Sequence, residues 1–139
     1  MIVHITEYLR INLQSEQWEC RRCQARLGNA RENYKCGLLV YDRDPREVHR
    51  PLLDPARYER TYSPDPSWCR ILEYYCPKCG TMVETEYLPP GHPPIRDIEL
   101  DIDVLRARWL KDEATAVTPA LPDSAHEGER ADGKHRTEP

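Results

Sequence analysis

The sequence predicts a small, mainly β domain with one C-terminal helix, long loops and an extended C-terminal tail. Three observations lead to this fold class: alternating apolar residues near the N-terminus, β-forming segments on both sides of a Cys-Pro-Lys-Cys turn, and one helical pattern near residue 105. The chain has 139 residues, enough for a single domain with one modest core. Thirteen prolines indicate that long irregular segments accompany that core.

The first half of the chain contains two predicted strand regions. Apolar residues recur at every second position over residues 3–13, which is typical of one half-buried strand or two short ones. Residues 27–34 (LGNARENY) are typical of a turn. Residues 34–41 (YKCGLLVY) predict a second strand, and their apolar content predicts that it is covered on both faces.

A hairpin is predicted in the second half. Residues 68–75 (WCRILEYY) and 81–88 (TMVETEYL) are rich in β-formers and flank a tight turn, so we expect them to pair. Residues 42–67 carry five prolines and many charges, which predicts a long insertion loop with room for one helical turn. The prolines at 89–94 (PPGHPP) exclude regular structure there.

One helix is predicted over residues 102–110, with Asp101 as its N-cap. Ile102, Leu105 and Trp109 have the spacing of a single helix face. Residues 1–110 are therefore the predicted folded domain. Residues 111–139 have few large apolar side chains and are expected to be disordered alone. Both this tail and the proline-rich loop 42–67 are expected to act as partner-binding arms.

Two Cys-x-x-Cys pairs predict a metal site. The pairs are Cys20 with Cys23 and Cys76 with Cys79, and four thiolates suit the tetrahedral preference of Zn²⁺ without leaving an open ligand position. Residues 24–75 separate the pairs, far more than the roughly 15–20 residues of a compact zinc site. We interpret the domain as zinc-ribbon-like with a large insertion. The alternative is that each cysteine is a small buried apolar residue.

The remaining cysteines, the histidines and the glycines do not predict a catalytic site or a cofactor-binding site. Cys36 and Cys69 lie within predicted strands and are expected to be free buried thiols; the alternatives are a replacement metal ligand or a nucleophile. The five histidines are scattered and are expected in surface or loop positions. The six glycines form neither a Walker-type nor a dinucleotide-binding motif, so this chain is not expected to use ATP by itself.

The charge balance and the apolar distribution restrict the partners. A formal net charge of −4 disfavours a nucleic-acid partner, which requires a basic face. The sequence has no apolar run near the roughly 18 residues of a membrane span and no signal peptide at its start. We therefore expect a cytoplasmic protein, in which six cysteines favour metal ligands and free thiols over disulfides.

Part of the sequence resembles a known family. The stretch from Trp68 contains the block Glu73-Tyr-Tyr-Cys-Pro-x-Cys, then prolines, then Asp97, Asp101 and a helix ending in Trp-Leu. Residues 31–44 match a second block. These features resemble the small (gamma) subunit of acetone carboxylase and its counterpart in acetophenone carboxylase, over most of residues 18–110. The small subunits of acetone carboxylase carry further cysteines or histidines at the first pair, where this chain has a plain Cys20-Arg-Arg-Cys23. Through this departure, the resemblance implies an aromatic ketone such as acetophenone as the substrate of the complex.

The resemblance implies a structural, zinc-binding subunit of a hetero-oligomeric ligase that carboxylates a ketone at its methyl carbon. In such a complex, ATP and bicarbonate are used without biotin by large hydantoinase-like subunits, through phosphorylated intermediates. The main alternative is a free-standing zinc-ribbon adaptor for protein or nucleic acid, which the acidic balance and the lack of a basic aromatic stripe disfavour. A small zinc hydrolase would need an open ligand position.

Overall fold

Two antiparallel sheets form the domain in the computed structural model, which describes residues 1–54 and 56–115. Their strands and helices are listed here in chain order: β1 (Ile2–His4), β2 (Leu9–Asn12), β3 (Gln17–Cys20), β4 (Arg26–Asn29), a 3₁₀ helix (Tyr34–Gly37), β5 (Leu39–Arg43), α1 (Pro45–Val48), β6 (Arg70–Tyr75), β7 (Met82–Leu88) and α2 (Ile102–Thr115). The first sheet has the order β1-β2-β3-β4 and the second β5-β6-β7. The predicted fold class, mainly β with one C-terminal helix, is confirmed.

The alternating N-terminal segment forms two short strands. Val3 of β1 pairs with Ile11 of β2, and the side chain of Ile11 is fully buried. The turn between the strands is held by Thr6, whose hydroxyl accepts hydrogen bonds from the N–H groups of Tyr8 and Leu9. The alternating apolar segment therefore forms two paired strands rather than one, because a turn of the serine/threonine type interrupts it.

The prediction of a turn over residues 27–34 is wrong at its beginning, where Leu27 to Asn29 belong to β4. Gly28 pairs with Trp18 at a register shift and has a φ of 124°, so the strand contains the irregularity that a glycine permits. Leu27 is buried beneath it. One buried side chain in a four-residue strand is too weak a pattern to be seen in the sequence.

The prediction of one covered strand over residues 34–41 is also wrong. Its first half is a 3₁₀ helix, capped by Asn33, whose side chain accepts a hydrogen bond from the N–H of Lys35. Gly37 permits this turn to approach β4, because a Cβ at that position would lie 1.6 Å from the carbonyl oxygen of Leu27. Strand β5 follows at the edge of its sheet, and its apolar residues are exposed rather than covered.

The predicted hairpin is confirmed as β6–β7, with a register shift between Tyr74 and Tyr75. The insertion loop predicted over 42–67 is observed as residues 44–69, between β5 and β6, and its one helical turn is α1. Asp44 caps that turn through a hydrogen bond from the N–H of Arg46. In the described part of residues 89–101 the chain has no helix or strand, as its prolines predict.

Helix α2 begins where predicted but ends later. The carboxylate of Asp101 accepts hydrogen bonds from the N–H groups of Asp103 and Val104, which confirms the predicted cap. The helix continues to Thr115, past the predicted end at 110, so residues 111–115 are helical rather than part of an extended tail. The remainder of the predicted tail, residues 116–139, lies outside the described residues.

A single core joins the two sheets and the helix. Its buried members come from both sheets and from α2: Leu9, Ile11, Leu13, Trp18, Cys20, Leu27, Ala30, Tyr34, Leu38, Leu72, Tyr74, Cys76, Val83, Leu88 and Ile102. Leu105 and Trp109 pack against it, so the predicted helix face is the one that faces the core. Among the described residues, no helix has the length and apolarity needed to cross a membrane.

Candidate metal centre

Four cysteines meet between the two sheets. Their sulfur atoms all lie within 4.8 Å of one another, with the Sγ atoms of Cys20 and Cys79 3.8 Å apart and those of Cys23 and Cys76 3.6 Å apart. Cys20 is the last residue of β3, and Cys76 directly follows β6. The structure thus brings together the two pairs that the sequence predicted as partners, despite the long insertion between them.

Both cysteine pairs lie on turns with the same backbone pattern. In the first turn, the N–H of Gln24 donates to the carbonyl of Cys20, and the N–H of Cys20 donates to the carbonyl of Ala25. In the second turn, the corresponding bonds join Gly80 to Cys76 and Cys76 to Thr81. We call these two turns the first and second knuckle. This turn geometry brings the two sulfurs of each pair together, and the packing of the two knuckles against each other brings the pairs together.

The sulfur spacing fits a tetrahedral metal ion. With Zn–S bonds of about 2.3 Å, the edge of a regular tetrahedron is about 3.8 Å, close to the separations of 3.6 and 3.8 Å. An all-sulfur donor set of this shape suits zinc or iron, and not magnesium or calcium, which require oxygen ligands. Four cysteines complete the coordination shell. Such a site stabilises a fold and leaves no position for water or substrate.

The pKa values of the cysteine thiols depend on burial, on neighbouring thiols and on hydrogen bonds. Burial raises the pKa of the Cys20 thiol. At Cys23 the strongest influence, a hydrogen bond from the N–H of Ala25, lowers the pKa, but burial and the three neighbouring thiols together raise it to about 12. Hydrogen bonds from the hydroxyl and N–H of Thr81 lower the pKa of Cys79 to about 6. A metal ion binds only the deprotonated thiols, so the affinity of this cluster for a cation depends on pH.

Basic residues occur between the cysteines of both knuckles. The two positions between the cysteines hold Arg21 and Arg22 in the first knuckle, and Lys78 occupies the second such position in the second knuckle. The guanidinium of Arg22 lies 3.5 Å from the hydroxyl of Thr81, while Arg21 donates to the carbonyl of Thr6. Four thiolates around one divalent cation carry a net charge of about −2. Basic residues beside the cysteines are the kind of group that would offset such a charge.

Thr81 is a site residue that the sequence interpretation missed. Its hydroxyl lies 3.1 Å from the sulfur of Cys79, and its backbone closes the second knuckle. The available signal was its position, two residues after the second cysteine of the pair. Ala25 has that position in the first knuckle and cannot donate from its side chain, so the two knuckles match in backbone but not in their side-chain hydrogen bonds.

Cys36 and Cys69 take no part in the cluster. The expectation that both lie buried within strands is wrong: Cys36 is exposed in the 3₁₀ helix, and Cys69 is half-buried just before β6. The sulfur of Cys69 lies 3.8 Å from the carbonyl of Arg70. Within residues 1–54 and 56–115, Cys20, Cys23, Cys76 and Cys79 are the cluster of potential metal ligands that the structure assembles.

A buried charge network lies near the centre of the domain and was also missed. Lys35 is 4% exposed, and its ammonium contacts the carboxylates of Glu86 and Asp97 and the carbonyl of Ile95. Tyr74 donates to Glu86 at 2.7 Å, and a second tyrosine, Tyr34, donates to Asp97 at 3.1 Å. The network fastens the proline-rich link after β7 to the core. Its groups are saturated with partners, which indicates a structural role.

Fold and site together define a small β protein with a closed four-cysteine centre. Comparison with known proteins identifies the family. Residues 3–110 match the family model described as acetone carboxylase gamma subunit. The chain is 50% identical, over 109 residues, to the acetophenone carboxylase beta subunit of Aromatoleum aromaticum, which covers 78% of this chain and 82% of that protein.

A second relative extends the comparison. The chain is 33% identical over 97 residues to the acetone carboxylase gamma subunit of Xanthobacter autotrophicus; the match covers 69% of this chain and 55% of that longer protein. Because the family model matches residues 3–110 of this chain, the chain belongs to the acetone carboxylase gamma subunit family. The predicted resemblance is confirmed.

Proposed function

We propose that this chain is the structural, zinc-binding subunit of a multisubunit, ATP-dependent and biotin-independent ketone carboxylase. The observation that carries the proposal is the closed cluster of four cysteines, which lies between the two sheets of a chain that belongs to a carboxylase subunit family. A metal held by Cys20, Cys23, Cys76 and Cys79 fixes the end of β3 against the β6–β7 hairpin. The ion stabilises the fold and does not act on substrate.

An aromatic ketone of the acetophenone type is the proposed substrate of the complex. Two observations support it over acetone. The 50% identical relative is named an acetophenone carboxylase subunit, whereas the relative named for acetone is 33% identical. The first knuckle is a plain Cys20-Arg-Arg-Cys23 pair, without additional histidine or cysteine ligands.

The reaction chemistry is assigned to the partner subunits. We propose that large hydantoinase-like subunits bind ATP and bicarbonate and form the new C–C bond, so that the assembly as a whole is a cytoplasmic ligase. This chain contributes no catalytic residue. Its contribution is a rigid, metal-braced surface on which the larger subunits assemble, and this is consistent with a cluster whose ligand positions are all filled by sulfur.

Reconstitution tests the proposal. The carboxylase subunits of the same host are purified without this chain and assayed for ATP- and bicarbonate-dependent carboxylation of acetophenone and of acetone, before and after its addition. We expect activity and the full-sized complex only after addition, with acetophenone as the better substrate. Carboxylation at an unchanged rate without this chain, or ATP turnover by the purified chain alone, would contradict the proposal.

A further inference from the structure

The outward side of the second sheet carries an unusual concentration of exposed apolar residues. The strand pairing places three rows of residues on this side: Leu39 with Tyr75 and Met82, Tyr41 with Glu73 and Thr85, and Arg43 with Ile71 and Tyr87. The opposite side holds Leu72 and Tyr74, which belong to the core. Of the outward residues, Leu39, Tyr41, Met82 and Tyr87 are 47–58% exposed. We call these four residues the outer face.

The insertion loop continues the outer face. The imidazole Nε2 of His49 lies 3.1 Å from the hydroxyl of Tyr87, so the first arm of the loop contacts β7. The hydroxyl of Ser63 donates to the carbonyl of His49, which joins the second arm of the loop to the first. The loop then exposes further large side chains: Leu52, Leu53, Tyr58 and Tyr62. Large exposed apolar and aromatic side chains concentrated on one part of a domain mark an interaction site.

Charge separates this surface into two parts. On the outward side of the strands, the charged residues Arg43 and Glu73 neutralise each other in an ion pair. On the loop, three arginines are exposed and form no ion pair with any residue that the structure describes: Arg50, Arg57 and Arg60. The same holds for three carboxylates of the loop: Asp54, Glu59 and Asp65. Tyrosine, methionine and arginine are enriched at protein interfaces, and this surface exposes all three residue types, with the arginines on the loop beside the outer face.

We propose that the outer face and the insertion loop form the surface that binds a larger carboxylase subunit, whose complementary surface is apolar at the centre and carries carboxylates opposite Arg50, Arg57 and Arg60. This inference rests on the proposed function. Strand β5 adds an open backbone edge beside the same surface, because within the described residues it pairs with β6 alone. The whole surface lies inside residues 3–110, the part matched by the family model.

Two double variants that replace exposed apolar side chains by glutamate test this assignment, one on the outer face and one as a control. The double variant Leu39→Glu/Tyr41→Glu changes side chains that are 58% and 47% exposed, and the control Val104→Glu/Leu110→Glu changes side chains on α2 that are 47% and 52% exposed. Each full-length variant is co-expressed with the large subunits of the host, and assembly is measured by affinity capture of those identified subunits. Metal content of the variants checks that they fold.

We expect the outer-face variant to keep its metal and to bind the large subunits about tenfold more weakly or worse, because two carboxylates would be desolvated at the centre of the interface. The α2 control should bind as the wild type does. Charge reversal by Arg57→Glu/Arg60→Glu should weaken capture at low salt and reduce its salt dependence, and the exposed Arg108→Glu should not.

Three results would overturn the inference. The first is capture of the large subunits by the outer-face variant at wild-type strength. The second is equal loss of capture in the α2 control. The third is a dimer of the isolated wild-type chain that the outer-face variant dissociates, since the surface would then bind a second copy of this chain. Failure of the wild-type chain to capture any large subunit would instead contradict the proposed function itself.

Discussion

Gln24 and Gly80 occupy the same position in the two knuckles and share one backbone conformation. Each directly follows the second cysteine of its pair and donates its N–H to the carbonyl of the first, and their φ angles are 61° and 68°. This left-handed conformation costs a residue with a side chain about 1 kcal/mol or more, whereas glycine adopts it freely. The first knuckle therefore carries a strain that the second avoids.

Exchange of glycine at these two positions should change stability in opposite directions. Gly80→Ala should lower the free energy of unfolding of the metal-loaded chain by about 1 kcal/mol, since a Cβ there meets no neighbour within 4 Å and strain is the only cost. Gln24→Gly should raise it or leave it unchanged. Urea unfolding of both variants measures the difference. Stabilisation by Gly80→Ala would show that the shared turn geometry is incorrect.

Much of the candidate metal centre could be predicted from the sequence because cysteine spacing is a local property. Cys-x-x-Cys brings two sulfurs onto one turn, whatever lies between the pairs, and the prediction of Cys20, Cys23, Cys76 and Cys79 as one cluster matches the placement in the structure. The two strands beside the second pair could also be predicted from the sequence, because β6 and β7 are long and rich in β-formers. The ligation of a metal by these residues stays a prediction.

The wrong predictions arose where long-range contacts decide the structure. Residues 34–37 have strand-forming composition but adopt a 3₁₀ helix, because Asn33 caps the turn and Gly37 packs against the backbone of Leu27. Strand β5 was expected to be covered because it is apolar, yet it lies at a sheet edge. The partners of Lys35 lie 51 to 62 residues further along the chain, and no local pattern indicates such pairs.

Removal of one partner from the buried network should be costly. Glu86→Gln leaves the ammonium of Lys35 with fewer carboxylate contacts in an environment where it is 4% exposed. We expect a loss of about 3 kcal/mol or more in the free energy of unfolding. Glu84→Gln, on the same strand and half-buried, is the control and should cost less than about 1 kcal/mol. Equal effects would show that the network does not hold the domain together.

Acid should weaken the attachment of α2 through Glu16. Hydrogen bonds from Arg31 and then Arg106 lower the pKa of this carboxyl from 4.5 to about 2. Because the folded-state pKa is depressed, the stabilisation is present above about pH 4.5 and is lost as the pH falls towards 2. Glu16→Gln should therefore lower stability at pH 6 more than at pH 3, measured by urea unfolding. Acid also displaces metal from thiolates in both proteins, so the difference between them is the quantity to compare.

Loss of one cluster cysteine should have a far larger effect than loss of a cysteine outside it. Cys76→Ser removes a buried ligand and should unfold the domain or strip its metal, since metal binding supplies folding free energy on the order of 10 kcal/mol in zinc-finger peptides. Cys36→Ser changes an exposed thiol outside the cluster and should change stability by less than about 0.5 kcal/mol. Circular dichroism and metal analysis of both variants check this. A folded, metal-bearing Cys76→Ser protein would contradict the four-cysteine site.

The most direct test of the central claim is the identity and ligand set of the metal in the full-length chain. Elemental analysis combined with X-ray absorption at the zinc edge measures both on the wild-type protein. We expect one zinc per chain with four sulfur neighbours at about 2.3 Å. A chain without zinc, or a zinc with nitrogen or oxygen in its first shell, would contradict it, because Cys20, Cys23, Cys76 and Cys79 would then not close the site.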